Sequence, residues 1–508
     1  MACLWALASP ADGLASQSHE ALQRAAGLVQ EGRLEEAGRA AQLALSDPET
    51  RAAACSVLGA IRLQQGRLAE GAELLEEATR LQPGLLGAQL NLAEVYTRQG
   101  ETQAALAAFR RVLELDPQNA TARLAVARWE TEQGNHQRSL EPARPALGAL
   151  EQSPEGVLVL AAGYLETGDR ASAAALADAS RRLDGASSAW SIRFARLLSE
   201  GGLVSEAIDV LERAREAHPE TPEVAFALGG AYLLIDSPAW ALASYDDALS
   251  LEPDSLPVLR QAAAVAERAG QLERSLSYWM RARELQPGEP ELLLGFGRVC
   301  LKMDLLEDAE EVLTRAARLR PGEPSYQYTL AVAKVGRRQY DAAQALLEPL
   351  ALQQPDDAQL QYALGSVLYS QGHLAEAAAR FEESLRLEPE QVPSRYYLAL
   401  VARDQGRDEE AIEMLEELLR RHPDHAPSCE ALGGMLMNER RHAEAERYLR
   451  RAIHLDPSSM KANYQLGLLL ARTGRKQEAD EQLELAKSLR EEDEASSRLQ
   501  LRLLDPAR

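Results

Sequence analysis

Residues 86–119 read LGAQLNLAEVYTRQGETQAALAAFRRVLELDPQN. Apolar side chains recur at i, i+3, i+4 and i+7 in both parts of this stretch, which predicts two amphipathic helices. Gly100 supplies the turn between them, because glycine accepts backbone conformations that other residues resist. Pro117 cannot continue a helix and therefore ends the second one. The stretch predicts one helical hairpin.

The same pattern recurs every 34 residues along the chain, which indicates a repeat architecture. Cutting at residue 18 and at every 34th residue thereafter gives fourteen repeats, the last of which begins at residue 460. Position 8 of the repeat is always Gly or Ala, position 20 is Ala in eleven repeats and position 15 is Gly in ten. Small residues at positions 8 and 20 let the two helices of a hairpin approach closely. Position 32 is proline in ten repeats: Pro83, Pro117, Pro219, Pro253, Pro287, Pro321, Pro355, Pro389, Pro423 and Pro457.

Residues 18–493 resemble tetratricopeptide repeats. The third and seventh repeats carry the family's marked residues, namely Leu92, Ala93, Tyr96, Ala105, Phe109 and Pro117, and Leu228, Gly229, Tyr232, Ala241, Tyr245, Ala248 and Pro253. The resemblance implies an all-α, right-handed superhelical solenoid of about fourteen helix-turn-helix repeats. It also implies that first helices line a concave groove and second helices face outward.

The pattern divides the chain into four parts. Residues 1–17 form an N-terminal segment, 18–153 hold repeats 1–4, 154–493 hold repeats 5–14, and 494–508 are a helix end and tail. Pro142 and Pro145 fall within the second helix of repeat 4, which predicts a kink or hinge near residues 139–153, with a local loop as the alternative. A long capping helix is predicted from Gln477 to about Leu504.

Composition excludes several classes of function. The net charge of −23 disfavours nucleic acid as a partner, and no apolar run is long enough to span a membrane. Fifty arginines against five lysines hint at GC-rich coding and a bacterial source. Residues 1–15 resemble a signal peptide without its basic start, or else a frayed helix. We therefore expect a soluble protein, cytoplasmic in preference to exported.

Catalytic and metal-binding motifs are missing from the sequence. No phosphate-binding loop, HExxH or nucleophile elbow occurs, so we expect no enzyme activity and no cofactor. The spacing HxxHxxxC joins His422, His425 and Cys429, but the histidines fall in a turn between repeats and the cysteine at a packing position. We therefore expect no metal site there.

An aromatic ladder is the strongest candidate for a binding site. Position 5 faces the groove in the family, and here it carries Tyr328, Tyr362, Tyr396 and Tyr464, with Phe226 earlier in the chain. Helices pack about 8–10 Å apart, so an extended ligand would meet one ring about every three residues. Beside the ladder lie cations on first helices, which together with the rings would hold an extended segment with acidic and apolar side chains: Arg298, Lys302, Arg395, Arg403, Lys461 and Arg472.

These features predict a non-catalytic scaffold that binds a protein or an extended peptide in its concave groove. Two alternatives stay open. One is an exported accessory protein or adaptor of bacterial envelope polymer synthesis or secretion, and the other is a regulatory subunit of a separate enzyme. The pattern does not set the oligomeric state.

Overall fold

The computed structural model describes residues 13–183 and 187–504, with residues 13–16 and 492–504 described in their backbone only. The chain forms two compact arrays, residues 1–251 and 252–508. Every regular element of the described residues is a helix, and consecutive helices pair into stacked hairpins. The predicted all-α solenoid of about fourteen hairpins is therefore confirmed.

The N-terminal array contains fifteen α-helices within its described residues. They are α1 Gly13–Gln30, α2 Leu34–Leu43, α3 Pro48–Gln64, α4 Leu68–Leu81, α5 Leu86–Gln99, α6 Thr102–Leu115, α7 Ala120–Glu132, α8 His136–Ala143, α9 Leu147–Leu150, α10 Pro154–Glu166, α11 Arg170–Ala179, α12 Ser188–Glu200, α13 Val204–Ala217, α14 Pro222–Leu234 and α15 Pro238–Leu251.

The C-terminal array alternates first and second helices without interruption. They are α16 Leu256–Arg268, α17 Leu272–Leu285, α18 Pro290–Lys302, α19 Leu306–Leu319, α20 Pro324–Gly336, α21 Tyr340–Gln353, α22 Ala358–Ser370, α23 Leu374–Leu387, α24 Val392–Asp404, α25 Asp408–Arg421, α26 Ala426–Asn438, α27 His442–Leu455, α28 Met460–Arg472 and α29 Lys476–Leu504.

Position 8 is small because the residue at position 24 of the same repeat fills the space beside it. A Cβ atom on Gly365 would lie 2.8 Å from Cε1 of Phe381, and one on Gly297 would lie 2.6 Å from Cγ of Leu313. Phe381 and Leu313 are completely buried. Eleven repeats have a large apolar or aromatic residue at position 24, and in hairpins such as these it rests on the backbone of the first helix; repeats 1, 4 and 5 have alanine there, as Ala41, Ala143 and Ala177.

Position 15 takes a left-handed backbone conformation in all fourteen repeats. Ten of these residues are glycine, and the four others, Asp236, Asp304, Arg338 and Arg440, have φ between 52° and 60°. Left-handed backbone strains residues that carry a Cβ atom, by about 1–2 kcal/mol. The turn, and not a residue preference of the helices, therefore explains the glycine at this position.

Restoring glycine at Arg338 or Arg440 should stabilise the turn. We expect Arg338→Gly and Arg440→Gly each to slow the opening of its own hairpin by roughly fivefold, or about 1 kcal/mol. Amide hydrogen exchange in α20–α21 and α26–α27 measures the opening of each hairpin. An unchanged or faster exchange in α20–α21 and α26–α27 would show that the arginines are not strained.

The second helix of repeat 4 is interrupted as its prolines predict. Helix α8 ends at Ala143, residues Arg144–Ala146 form a 3₁₀ turn, and α9 is a single turn. The broken segment still contributes Leu140 and Leu150 to the core. A hinge at this segment stays a prediction, which limited proteolysis would test. Cleavage elsewhere in the chain with residues 139–153 intact would contradict the hinge.

The ends of the chain are only partly described. Residues 1–12 and 505–508 and the side chains of 492–504 lie outside the described part, so the signal-peptide and capping predictions are left as they stand. Among the described residues, no helix has both the length and the apolar character needed to cross a bilayer.

Candidate functional site

First helices of the C-terminal array lie beside one another, in contact for α18 with α20, α22 with α24 and α26 with α28. The ladder tyrosines occupy the same position of these helices: Tyr328 in α20, Tyr362 in α22, Tyr396 in α24 and Tyr464 in α28. Glu430 takes that position in α26, so a carboxylate interrupts the row. Phe226 belongs to the N-terminal array, where its ring centre lies 5.7 Å from that of Tyr245.

An aromatic cluster supports the middle of the ladder. The ring of Tyr397 lies 6.0 Å from that of Tyr362, 5.6 Å from that of Tyr396 and 5.3 Å from the buried ring of Phe381. Tyr369 joins the same cluster, edge-on to Tyr397 at 5.4 Å. The two central ladder rings are therefore fixed by packing and present a preformed surface.

The ladder tyrosines differ in how much of each ring solvent can reach. Burial raises the pKa of Tyr362 and of Tyr396 to about 12, so both phenols stay neutral at physiological pH. The hydroxyl of Tyr328 accepts a hydrogen bond from Nε2 of Gln359 at 3.0 Å. Tyr464 is 51% exposed. Tyr328 and Tyr464 do not belong to the aromatic cluster around Tyr397, so truncating them leaves that cluster intact.

Arg298 and Lys302 share one buried carboxylate. Nη2 of Arg298 and Nζ of Lys302, both on α18, lie 2.8 Å from Oε1 of Glu267 on α16. The Glu267 side chain is only 3% exposed, whereas each cation is half exposed. Burial alone would raise the pKa of Glu267, but the hydrogen bonds from Lys302 and Arg298 outweigh it and hold the pKa below its usual value.

Removing both cations should leave Glu267 buried without a counter-charge. We expect Arg298→Gln with Lys302→Gln to weaken the packing of α16 on α18 by about 3 kcal/mol at pH 7, a rise of roughly a hundredfold in amide exchange. Because the pKa of Glu267 is depressed in the wild-type protein, the stabilisation by its ion pairs is present above about pH 4.3. It is lost as the pH falls through the pKa of the folded state. In the double variant, burial without the two cations raises the pKa of Glu267. Protonation of Glu267 should therefore reduce the difference in amide exchange between the variant and the wild type as the pH falls.

Glu267→Leu is the matched control for this prediction. Leucine stands at the same position in four other repeats, as Leu63, Leu165, Leu233 and Leu301. Replacing a buried charge by a fitting apolar side chain is often neutral, so this change should leave exchange in α16 almost unaltered. If Glu267→Leu and the double cation variant raised amide exchange in α16 equally, the predicted penalty of an unpaired carboxylate would be contradicted.

The other predicted ligand-binding cations are also held within the protein. Nζ of Lys461 lies 2.6 Å from Oε1 of Glu430, and Nε of Arg403 lies 2.8 Å from Oδ1 of Asp404. Arg395 donates to the carbonyl of Pro389, and Arg472 is exposed. Most of these cations thus already have acceptors within the protein, so acidic side chains of a ligand would gain less by binding them than by binding unpaired cations.

His425 and Cys429, two members of the HxxHxxxC spacing with His422, have separate structural contacts. Nδ1 of His425 lies 2.7 Å from Oγ of Ser428, and its ring packs edge-on against Tyr396 at 5.4 Å. Cys429 is buried in the core between repeats. No group of three or more His, Cys, Asp or Glu side chains in the described part of the chain is placed to hold a metal ion.

Sequence reasoning missed Tyr369, Tyr397, Glu267 and Glu430. Tyr397 follows a ladder tyrosine directly, so the Tyr-Tyr pair was its only signal. Glu267 stood at a position that is apolar in many repeats, and this exception marks a buried charge. Glu430 gave no aromatic signal, although it stands at the same position of its repeat as the ladder tyrosines.

Family models agree with the repeat geometry. The tetratricopeptide repeat family matches residues 62–128 and 164–229 in the N-terminal part of the chain. It also matches residues 260–324, 328–392, 362–426 and 433–493. These ranges together cover well over half of the sequence. The chain belongs to the tetratricopeptide repeat family. Proteins of this family are in general non-catalytic interaction scaffolds, and this tetratricopeptide repeat protein has the architecture of one.

Solved structures of other tetratricopeptide repeat proteins are similar to this chain. A tetratricopeptide repeat protein from Parabacteroides merdae is 18% identical, with a TM-score of 0.41, over 46% of this chain and 93% of its own. Yeast Tom70 is 15% identical, with a TM-score of 0.38, over 94% of this chain and 97% of its own. Cut9, from a complex with Hcn1, is 15% identical, with a TM-score of 0.41, over 97% of both chains. No curated protein matches the sequence significantly.

Proposed function

We propose that this protein is a non-catalytic scaffold that binds an extended protein segment along the first helices of repeats 10–14. The observation that carries the proposal is the row of ladder tyrosines Tyr328, Tyr362, Tyr396 and Tyr464 on the first helices of that array. The central rings are fixed by packing, and the outer ring of Tyr464 is half exposed. A preformed surface of this kind loses little entropy when a ligand binds.

The ion pairs of the first helices favour a ligand of mainly apolar character. Lys461 is engaged by Glu430, and Arg298 and Lys302 are engaged by Glu267, at 2.6–2.8 Å. Side chains that stack on phenol rings, such as aliphatic, proline or arginine side chains, need no displacement of these pairs. The ladder therefore favours a segment that offers such a group about every third residue.

The test compares partners recovered by the wild-type protein with those recovered by Tyr328→Ala with Tyr464→Ala. These two tyrosines lie outside the aromatic cluster around Tyr397, so the variant should keep its helical content. Tyr448→Ala is the matched control, because Tyr448 lies on second helix α27. We expect the ladder variant to lose at least tenfold in partner recovery or affinity while the control keeps it. Full recovery by the ladder variant would overturn the proposal.

A further inference from the structure

The hairpin turn of repeat 7 exposes three large apolar side chains. Leu234 ends α14, Ile235 follows it in the turn, and Trp240 lies in the first turn of α15. Their exposed fractions are 62%, 46% and 64%. Single exposed apolar residues are common, whereas several in one short turn are a feature that contiguous interaction surfaces share.

Trp240 is held in position by the hairpin beneath it. Its ring stacks on that of Tyr232, with 5.9 Å between centres, and the Tyr232 hydroxyl donates to Oε1 of Glu212 at 2.7 Å. Tyr232 is itself buried. The indole is therefore presented on a fixed support, so a partner that covers it loses little conformational entropy on binding.

The other repeats show that the turn does not require these residues. Where repeat 7 has Trp240, seven repeats have glutamate, namely Glu36, Glu70, Glu206, Glu376, Glu410, Glu444 and Glu478. In five of those repeats the glutamate pairs with an arginine three residues before it. Where repeat 7 has Leu234, twelve of the other thirteen repeats have a polar or charged residue. The apolar trio therefore departs from a pattern that folds the same turn with charged side chains.

The three apolar residues lie in a stretch of sequence that contains acidic residues and no Lys or Arg. Residues 216–259 contain eight Asp or Glu residues and no Lys or Arg, although basic residues number 55 in the whole chain. Asp236 lies in the turn itself and is exposed. Asp247 is exposed seven residues after Trp240, which places it on the same side of α15. It also approaches Arg215 of α13 at 3.4 Å, a long contact between two solvent-exposed groups.

We propose that Leu234, Ile235 and Trp240 form a second binding surface, distinct from the ladder, for a protein segment that combines apolar side chains with Lys or Arg. The apolar side chains of the segment cover the trio, and its cations lie against Asp236 and the surrounding carboxylates. This complementarity gives both affinity from burial and selectivity from charge. A second copy of the chain brings the same carboxylates to the contact, and like charges disfavour that arrangement.

A short synthetic peptide of Leu and Lys tests this surface. With leucines at i, i+3, i+4 and i+7 it offers one apolar and one basic face, and fluorescence anisotropy measures its binding to the full chain. We expect Trp240→Glu to weaken binding at least tenfold. This change adds negative charge, so it would strengthen a purely electrostatic attraction between the basic peptide and the chain. A loss of binding would therefore report on the apolar contact. Glutamate is native to this position in seven repeats, so the variant should fold.

Three controls complete the experiment. Glu376→Gln, at the same position of repeat 11, should leave binding unchanged, and a peptide of the same composition in scrambled order should bind weakly to every variant. Leu234→Gln with Ile235→Gln should reproduce the loss. Equal binding by wild type and Trp240→Glu would overturn the proposal. So would wild-type self-association in sedimentation that Trp240→Glu abolishes, because a second copy would then be the occupant.

Discussion

Replacing Gly229 by leucine is expected to destabilise the hairpin of α14 and α15 by at least about 3 kcal/mol. A Cβ atom on Gly229 would lie 2.4 Å from Cε1 of Tyr245, whose ring is 2% exposed and cannot swing into solvent. The larger side chain must therefore push the two helices apart or displace that ring. Amide exchange in α14 and α15 should rise by roughly a hundredfold, while distant helices keep their protection.

The neighbouring glycine provides a control on the same helix. A Cβ atom on Gly230 meets no atom within 4 Å, so Gly230→Ala should stabilise α14 by about 0.5–1 kcal/mol. Gly229→Ala should have an intermediate effect, because repeats 3 and 8 combine alanine at position 8 with an aromatic residue at position 24, as Ala93 with Phe109 and Ala263 with Trp279. If Gly229→Leu and Gly230→Leu proved equally harmless, closure of the hairpin by Tyr245 would be refuted.

Much of the fold could be predicted because the same sequence pattern occurs fourteen times in the chain. Fourteen copies of a 34-residue pattern set the phase of every hairpin, and the ten glycines at position 15 indicated a turn in a conformation that other residues resist. The pattern could not show that Asp236, Asp304, Arg338 and Arg440 would take the same conformation. Backbone geometry is imposed there by the two flanking helices, and the side chain only tolerates it.

The candidate site was predicted less completely than the fold. Spacing placed the ladder tyrosines at one position on the first helices of repeats 10, 11, 12 and 14, since one position recurs on one face. It could not show that Glu267 would lie within reach of Arg298 and Lys302, because the pairing joins two repeats in space. The expected ligand was a segment with acidic and apolar side chains; because Glu267 pairs with Arg298 and Lys302, we propose a mainly apolar one.

The central claim is that each repeat buries its apolar surface against its neighbours alone. Deleting residues 290–323 tests it, because the cut removes one whole repeat and joins Glu289 to Pro324. The native chain has the same Glu-Pro step at Glu289–Pro290 and Glu323–Pro324, so the turn between repeats is restored. Glu267→Leu should accompany the deletion, since Arg298 and Lys302 leave with the repeat.

The most direct measurement compares this chain with one that lacks residues 290–306 in the same Glu267→Leu background. The second deletion removes α18 but leaves α19, whose buried face then has no first helix to cover it. The account predicts that the 34-residue deletion keeps the helical content per residue and the exchange protection of repeats 10–14, measured by circular dichroism and amide exchange. It predicts that the half-repeat deletion loses protection in α17, α19 and the repeats beside them. Equal protection in the two chains, or equal collapse, would contradict stacking by whole repeats.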